Sequence, residues 1–254
     1  MLRDTWLIFK RELSKSARNP AWIGIGIMQP ILYLVFFGPL MEKIVANTPG
    51  FPPGGTWQIL TPALLMQLSL FTMMAGFGVL IDLRTGVIER LRVTPVSRLA
   101  LLMGRVLVVA VQTVVQAVLI VVIAVLGFGL RAPFGGIVLC LLMVAMLAVT
   151  LASCSYALAL ILKSEQSFPA LLNAIMLPLL LLSGILIPIT SGLAPSWLYH
   201  LSQVNPLRHV MDAQRASFRG DFSADGILTG SVVLLVIMVL AVWWGAHTFK
   251  KENA

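Results

Sequence analysis

The chain has 254 residues, of which 59% are hydrophobic and only 11% are charged. Soluble domains average about 45–50% apolar and about 25% charged residues, so a soluble core could not bury this much apolar surface. The formal net charge is +8, and because the basic residues lie at the ends of apolar runs, membrane orientation explains this charge better than nucleic-acid binding.

The first predicted element is a helix over residues 1–19 that lies on the membrane surface. Leu2, Trp6, Phe9 and Leu13 recur at helical spacing and form one apolar face. Lys and Arg side chains between them can reach lipid phosphates. The Asn-Pro pair that follows ends the helix. An alternative stays open, in which this segment is only the basic flank of the first span.

Six apolar runs are long enough to cross the ~30 Å hydrocarbon core as helices, which rise about 1.5 Å per residue. The predicted spans are 21–41, 57–81, 100–130, 135–162, 167–190 and 227–249. Apolar residues continue around all faces of these runs, which favours helices over the strands of a membrane barrel. We therefore predict an all-α polytopic membrane protein with a single domain over residues 1–254.

The distribution of basic residues predicts that both termini are cytoplasmic. With that orientation, thirteen of the 18 Lys and Arg residues fall in cytoplasmic segments. Trp22, Trp57, Trp197 and Trp243 fall near the predicted interfaces, where amphipathic rings are enriched. The polar stretch 82–98 is then cytoplasmic, and the long segment 191–226 is on the outer side.

Sequence motifs for catalysis are missing. There is no GxxxxGK[ST] phosphate loop, HExxH or GxSxG, and the three histidines lack metal-ligand spacing. Cys140 and Cys154 lie on one predicted helix, about 21 Å apart along its axis, so they cannot pair within it. No charged residue falls at the centre of a predicted span, which argues against proton relays. We predict no catalytic, cofactor-binding or metal site in this chain.

The loop 82–98 carries the densest cluster of charged residues between two spans. Gly86 permits a tight turn, residues 86–93 can form a short helix, and Thr94-Pro95 would end it. The residues alone leave two interpretations open. Either the loop docks a soluble protein that supplies energy, or its charges only fix the topology.

Two motifs resemble those of the membrane subunits of type-2 ATP-binding-cassette (ABC-2) exporters. The first approximates the family's cytoplasmic loop, ERxxGTxExLxxTPxSR, through Asp82, Gly86, Glu89, Leu91, Thr94, Pro95, Ser97 and Arg98. The second resembles the family pattern SG...P.WL...NPL...DA.R through Leu182-Ser183-Gly184, Pro195, Trp197, Leu198, Asn205-Pro206-Leu207, Asp212 and Arg215. Within the family, the chain looks most similar to daunorubicin-resistance and lipo-oligosaccharide exporter permeases. It departs from the family at Val87, usually Thr, and at Arg208-His209, usually Thr-Tyr.

The resemblance implies a permease that moves a drug, polyketide, lipid or lipo-oligosaccharide outward across the bacterial cytoplasmic membrane. It implies two copies of a cytoplasmic ABC ATPase, which would carry ATP and Mg, and a second permease, either identical or related. Membrane lipid is a further expected partner and nucleic acid is not. Loop 82–98 would be a coupling helix inserted into the ATPase, and segment 191–226 would re-enter the outer membrane face. The implied coupling residues are Asp82, Arg84, Gly86, Glu89, Arg90, Leu91, Arg92, Thr94 and Pro95.

Polar residues and helix breaks inside the spans are candidates for a substrate path. Gln112 and Gln116 share a helix face, although such amides can instead hold helices together by hydrogen bonds. Pro and Gly interrupt the fifth span, and such breaks require protein or a cavity to satisfy the freed backbone groups. The candidate path or gate residues are Gln112, Gln116, Asn173, Pro178, Leu181, Gly184 and Pro188. In the fourth span, small residues at helical spacing predict close packing: Ala148, Ala152, Ser155 and Ala159.

For the outer segment we favour a structural role over substrate binding. Asp212 and Arg215 are three residues apart, so they can pair on one helix face. The residues expected to hold this segment are Trp197, Asn205, Pro206, Asp212 and Arg215. Two functions other than export are compatible with a polytopic membrane protein of this composition. A membrane enzyme is disfavoured because the acidic residues are scattered, whereas a non-transporting sensor or immunity subunit that binds an ATPase stays open.

Overall fold

The computed structural model describes residues 2–19, 21–47, 55–86, 97–185, 188–190, 192, 194–223 and 225–251. Every regular element in these ranges is helical, which confirms the predicted all-α class for this part of the chain. The helices are α1 Leu2–Ala17, α2 Ala21–Leu32, α3 Gly38–Asn47, α4 Thr56–Phe71, α5 Phe77–Arg84, α6 Arg98–Phe128, α7 Phe134–Leu162, α8 Ser167–Leu182, α9 Ser196–Gln203, α10 Pro206–Arg219 and α11 Asp225–Lys251. A π-helical turn, Tyr33–Phe37, joins α2 to α3, and a 3₁₀ segment, Thr72–Gly76, joins α4 to α5.

Five continuous helical stretches within these ranges are long and apolar enough to cross a membrane. They are Ala21–Ile44, Thr56–Arg84, Leu99–Phe128, Phe134–Leu162 and Asp225–Phe249, and we refer to the first two as the first and second spans. These five coincide with predicted spans. The run 167–190 differs, because α8 ends at Leu182 and its 16 residues rise about 24 Å, short of the ~30 Å core. The six-span count therefore stays a prediction.

The helices run back and forth between two ends of the bundle. At one end, which we call the α1 end, Arg84 is the last residue of the second span. Its Nη1 lies 3.3 Å from Oε2 of Glu165, between α7 and α8. At the other, which we call the α10 end, the rings of Trp57 and Phe128 pack with their centroids 4.9 Å apart. Helix α11 begins beside α10 and finishes near the start of α6, since a Cβ at Gly230 would lie 2.4 Å from His209 O and one at Gly245 would lie 3.3 Å from Cδ2 of Leu102. The last helix therefore returns the chain to the α1 end.

Helix α7 lies in the middle of the bundle and packs against α4, α6, α10, α11 and the 3₁₀ segment. Its small-residue stripe is fully buried, which confirms the predicted close packing: Ala148, Ala152, Ser155 and Ala159. The Ser155 hydroxyl accepts a hydrogen bond from Gly76 N at 2.8 Å and donates one to Met73 O. Ser155 thus holds the 3₁₀ segment against α7. Cys140 and Cys154 both lie on α7 and are free, as their spacing predicted.

Candidate functional site

The start of the predicted coupling loop is tied to the bundle by two ion pairs. The Asp82 carboxylate accepts a hydrogen bond from the Arg105 guanidinium of α6, and only 26% and 17% of these side chains are exposed. The Arg84–Glu165 pair, at 3.3 Å, is more exposed. Gly86 follows α5 with φ +69°, a left-handed conformation that glycine adopts without steric cost. Asp82, Arg84 and Gly86 therefore form a fixed platform from which the loop begins.

The far side of the loop is also held, because Ser97 caps α6 by accepting a hydrogen bond from Ala100 N at 3.2 Å. The remaining predicted coupling residues lie outside the described residues, so their role stays a prediction: Glu89, Arg90, Leu91, Arg92, Thr94 and Pro95.

Helix α1 lies along α6 through Ile8, which is outside the apolar face that the periodicity assigned to the membrane surface. Gly104 of α6 allows close approach, since a Cβ there would lie 2.7 Å from Cγ2 of Ile8. Trp6, on the predicted apolar face, is 61% exposed, and its ring stacks on that of Phe9 at 5.4 Å. The exposed face of α1 is thus available to lipid, while the opposite face packs against α6.

Gln112 and Gln116 attach this N-terminal region to α6. The Gln112 amide donates to Oγ of Ser16 at 2.5 Å, and the Gln116 amide donates to the backbone O of Trp22 at 3.0 Å. The indole of Trp22 in turn donates to Ser16 O at 3.0 Å. Both amides therefore join helices, in line with the bonding alternative, and their part in a substrate path stays a prediction.

Two adjoining cavities open beside these amides. The inner one, about 670 Å³, lies among the first span, the second span, α6 and α7. The outer one, about 860 Å³, lies among α1, α5 and α6 at the α1 end. We call the two together the groove, because they share a set of lining residues: Trp22, Ala75, Val109, Gln112 and Tyr156. Cavities of this size can hold a small organic molecule.

At the α10 end, side chains of α10 satisfy the backbone where α8 stops. Asn205 caps α10 by accepting from Leu207 N at 3.0 Å, and its amide donates to Leu179 O in the last turn of α8 at 2.9 Å. The Ser183 hydroxyl donates to Leu180 O at 2.7 Å. These bonds supply the partners that a helix ending among the spans requires.

Two buried arginines hold the chain beyond α8. Arg215, 3% exposed, donates to Gly184 O at 2.8 Å. Arg208, 7% exposed, donates to Ile189 O at 3.1 Å, to Tyr199 O at 3.2 Å and to the Ser202 hydroxyl. Helices α9 and α10 are therefore attached to the segment that follows α8.

The ion pair of Asp212 is with Arg208, at 3.7 Å, and not with Arg215 as the spacing predicted. The reason is that the Arg215 guanidinium turns into the bundle toward the Gly184 carbonyl. Burial lowers the pKa of Arg215 to about 10, an effect that the nearby Asp212 charge opposes. Arg215 thus keeps its charge at neutral pH. Arg208 was noted in the sequence only as a departure from the family pattern, and its central role was missed.

The other predicted gate and outer residues are divided between buried and exposed positions. Gly184, with φ +74°, and Pro188 are buried, and Pro206 is the first residue of α10. Four are exposed: Asn173, Pro178, Leu181 and Trp197. A gate at this place stays a prediction. No group of three His, Cys, Asp or Glu residues in the described ranges could hold a metal ion.

Comparison with known proteins identifies the family of this chain. Residues 3–218 match the family model described as ABC-2 type transporter. The chain belongs to the ABC-2 type transporter family. The match confirms the resemblance that the two motifs carried and includes α1 through nearly all of α10. As a member of this family, the chain is a multi-pass membrane protein and a permease of an ABC transporter.

Individual ABC-2 relatives carry permease names. The chain is 28% identical over 221 residues to "Putative transport permease ycf38" of Cyanophora paradoxa, covering 84% of this chain and 73% of that protein. It is 24% identical over 267 residues to the protein of the same name in Pyropia yezoensis, covering 99% and 90%. It is 27% identical over 180 residues to "Probable multidrug ABC transporter permease YbhR" of Escherichia coli K12, covering 66% and 47%.

Proposed function

We propose that the chain is the permease subunit of an ABC exporter and that it moves a hydrophobic or amphipathic molecule outward. The energy comes from ATP and Mg on a separate cytoplasmic ATPase. The observation that carries this proposal is the anchoring of the loop 82–98 at its start. Because Asp82 is bonded to Arg105 on α6 and Arg84 to Glu165 after α7, a displacement of the loop acts on three spans together.

The proposed assembly contains two permeases and two ATPases, with loop 82–98 as the coupling helix of each permease. ATP binding closes the two ATPases, and the attached bundles tilt to open a path between the permeases. The family supports association with ABC ATPases. The copy numbers, and an identical or related second permease, are part of our proposal.

The proposed topology has six crossings with both termini on the cytoplasmic side of a bacterial plasma membrane. Helix α8 starts beside Glu165 at the α1 end, whereas α10 packs against the start of α11 at the α10 end. The chain between them must therefore traverse the bundle, partly as α8 and partly as the segment that Arg208 and Arg215 hold. This course supports a broken fifth crossing followed by a re-entrant segment.

Co-purification with an ABC ATPase encoded beside this gene tests the proposal. We expect the wild-type chain to retain a dimeric ATPase, and Glu89→Arg to weaken retention at least tenfold or to uncouple ATP turnover from the permease. The matched control is Glu42→Arg, the same charge reversal at an exposed position of α3, which should change neither. If the wild-type chain retains no ATPase, loop 82–98 is a topology signal and the proposal fails.

A transport assay separates an exporter from a non-transporting subunit that binds an ATPase. Inverted vesicles containing the permease and ATPase should accumulate the hydrophobic dye Hoechst 33342 when ATP is added. Vesicles with a hydrolysis-deficient ATPase should not accumulate it. Binding of the ATPase without any ATP-dependent accumulation of dye or other hydrophobic probes would favour the non-transporting alternative.

A further inference from the structure

The groove is the place in the described structure where irregular backbone from two spans meets a cavity. Pro30 inside α2 has no N–H, so it leaves the carbonyl of Gly26 without its usual helical partner, and Gly26 lines the inner cavity. Thr72, Met74 and Ala75 of the 3₁₀ segment line the same cavity. Irregular backbone at membrane depth is tolerated where protein buries it or where it lines a hydrated cavity. The groove therefore places backbone polar groups of two spans beside a cavity whose walls are mostly apolar.

The groove also opens toward the lipid-facing surface of the bundle. Ile25, Phe71 and Ile81 line it and are 70%, 45% and 47% exposed, respectively. Such side chains on the outside of a membrane bundle face acyl chains. A molecule can thus reach the groove sideways from the bilayer, and an apolar chain can continue from the groove into the surrounding lipid.

Charge at the mouth of the groove selects for an anion. The mouth is lined by Arg11, Glu12, Lys15, Asp82 and Arg105. Asp82 is already bonded to Arg105. Glu12 is then shared by two cations, Lys15 at 3.0 Å and Arg11 at 3.9 Å. Both cations are more than half exposed, so one positive charge at the mouth is left for a ligand.

We infer that the groove binds one anionic phospholipid taken from the surrounding leaflet. Its phosphate lies between Arg11 and Lys15, and one acyl chain follows the apolar wall formed by Leu68, Phe71 and Met74. The glycerol ester groups, between the phosphate and the acyl chain, lie beside the Gln112 amide, which joins α6 to Ser16 of α1. This inference goes beyond the proposed function and does not require transport, because it concerns a site within one permease.

Native mass spectrometry of the purified chain, titrated with dioleoyl phosphatidylglycerol or dioleoyl phosphatidylcholine, tests this site. We expect one phosphatidylglycerol to bind about tenfold more tightly than phosphatidylcholine, since each Lys or Arg near a lipid surface contributes a several-fold gain for anionic lipid. The double variant Arg11→Gln/Lys15→Gln should lose this preference, because Glu12 is then an uncompensated negative charge at the mouth. The matched control is Arg3→Gln/Lys10→Gln, which removes the same charge from exposed positions of α1 that do not line the groove; it should keep the preference.

A second pair of variants tests the shape of the groove independently of its charge. Gly78 lines the outer cavity, and a Cβ there meets nothing within 4 Å, so Gly78→Leu should fill the space without disturbing the backbone. We expect it to reduce binding of both lipids about tenfold. Gly127→Leu, at an equally open position of α6 away from the groove, should have no effect.

Three results would overturn the inference. They are equal wild-type affinities for the two lipids, an equal loss of preference in the Arg3/Lys10 control, and unchanged binding in Gly78→Leu. Each variant is first checked for helicity by circular dichroism and for a single peak in size-exclusion chromatography. The Arg11/Lys15 variant changes α1, whereas the Gly78 variant changes α5. If one of the two variants misfolds, the other still tests the inference.

Discussion

Replacing Gly76 with Ala tests the contact between the 3₁₀ segment of the second span and α7. A Cβ at this position would lie 2.5 Å from the backbone O of Ser155 and 2.7 Å from Cζ of Phe168. Neither neighbour can move away easily, because the first belongs to the backbone of α7 and the second is fully buried. Overpacking of this kind costs about 1–3 kcal/mol, and we expect the free energy of unfolding of Gly76→Ala to fall by that amount.

The matched control is Gly78→Ala, the same change two residues further on. A Cβ at Gly78 meets nothing within 4 Å, and Ala favours a helix over Gly by up to about 1 kcal/mol. For a protein of this size, 1 kcal/mol corresponds to about 2–4 °C in Tm. Gly76→Ala should therefore melt about 2–12 °C below wild type, and Gly78→Ala at or slightly above it.

The two cysteines provide the assay. Cys140 is buried and Cys154 half-buried, both on α7, so a thiol-reactive fluorescent dye labels them as α7 unpacks during a thermal ramp in detergent. The double variant Gly76→Ala/Ser155→Ala should not recover, since the Ser155 carbonyl remains in place. Equal melting of Gly76→Ala and Gly78→Ala, or full recovery in the double variant, would refute a backbone contact between α7 and the 3₁₀ segment.

Three further predictions concern the ion pairs and the α10 segment. Arg105→Gln leaves a partly buried carboxylate unpaired and should cost about 1–3 kcal/mol in unfolding free energy, whereas Arg84→Gln, which breaks an exposed pair, should cost less than about 0.5 kcal/mol. Asn205→Ala removes the α10 cap and should cost about 0.5–2 kcal/mol, measured by the same melting assay. Burial lowers the pKa of Arg215 and would lower that of a Lys there below the ~10.4 of an unfolded Lys. The unfolded Arg215→Lys chain then binds more protons than the folded one, so its stability relative to wild type should rise as pH increases from 7 toward 10. An unchanged difference in Tm across that range would contradict this.

Hydrophobic length made five of the spans predictable. A helix in lipid satisfies its own backbone hydrogen bonds, so a charge-free run of adequate length has few alternatives to a membrane-spanning helix. The observed boundaries agree with this expectation, as for Phe134–Leu162 against the predicted 135–162. From the sequence, Asn205 and Pro206 are grouped only as residues expected to hold the outer segment. In the structure they occupy the cap and first position of α10, as residues of these types often do.

Helix α8 differs from its prediction because tertiary contacts decide where it ends. The run 167–190 is free of charged residues, yet the helix stops at Leu182. Asn205 and Arg215 supply hydrogen bonds to Leu179 O and Gly184 O from 26 and 31 residues further along the chain. Composition within the run carries no information about these partners. A buried Arg in an apolar protein was the available signal, since such a charge needs several acceptors.

The contact of the 3₁₀ segment with α7 and the contact of α1 with α6 share a cause that hydrophobic periodicity does not reveal. Each depends on a glycine that lets another helix approach: Gly76 faces Ser155 of α7, and Gly104 faces Ile8 of α1. Propensity scales treat both glycines as weak points of a helix. Which helix packs against each glycine depends on residues far away in the sequence, so the local sequence does not reveal it.

Asp82 connects the groove to loop 82–98, the proposed coupling helix. Its carboxylate lines the outer cavity, is bonded to Arg105 of α6 and lies four residues before Gly86, where the described part of the loop ends. In the proposed mechanism, a displacement of the loop that separates Asp82 from Arg105 would change the charge balance at the groove mouth, because the released Arg105 would add a second positive charge for a phosphate. Linkage is reciprocal, so a lipid held more tightly in that state also favours the displaced loop by the same free energy. The partial burial of the pair makes this coupling stronger than an exposed pair such as Arg84–Glu165 could provide.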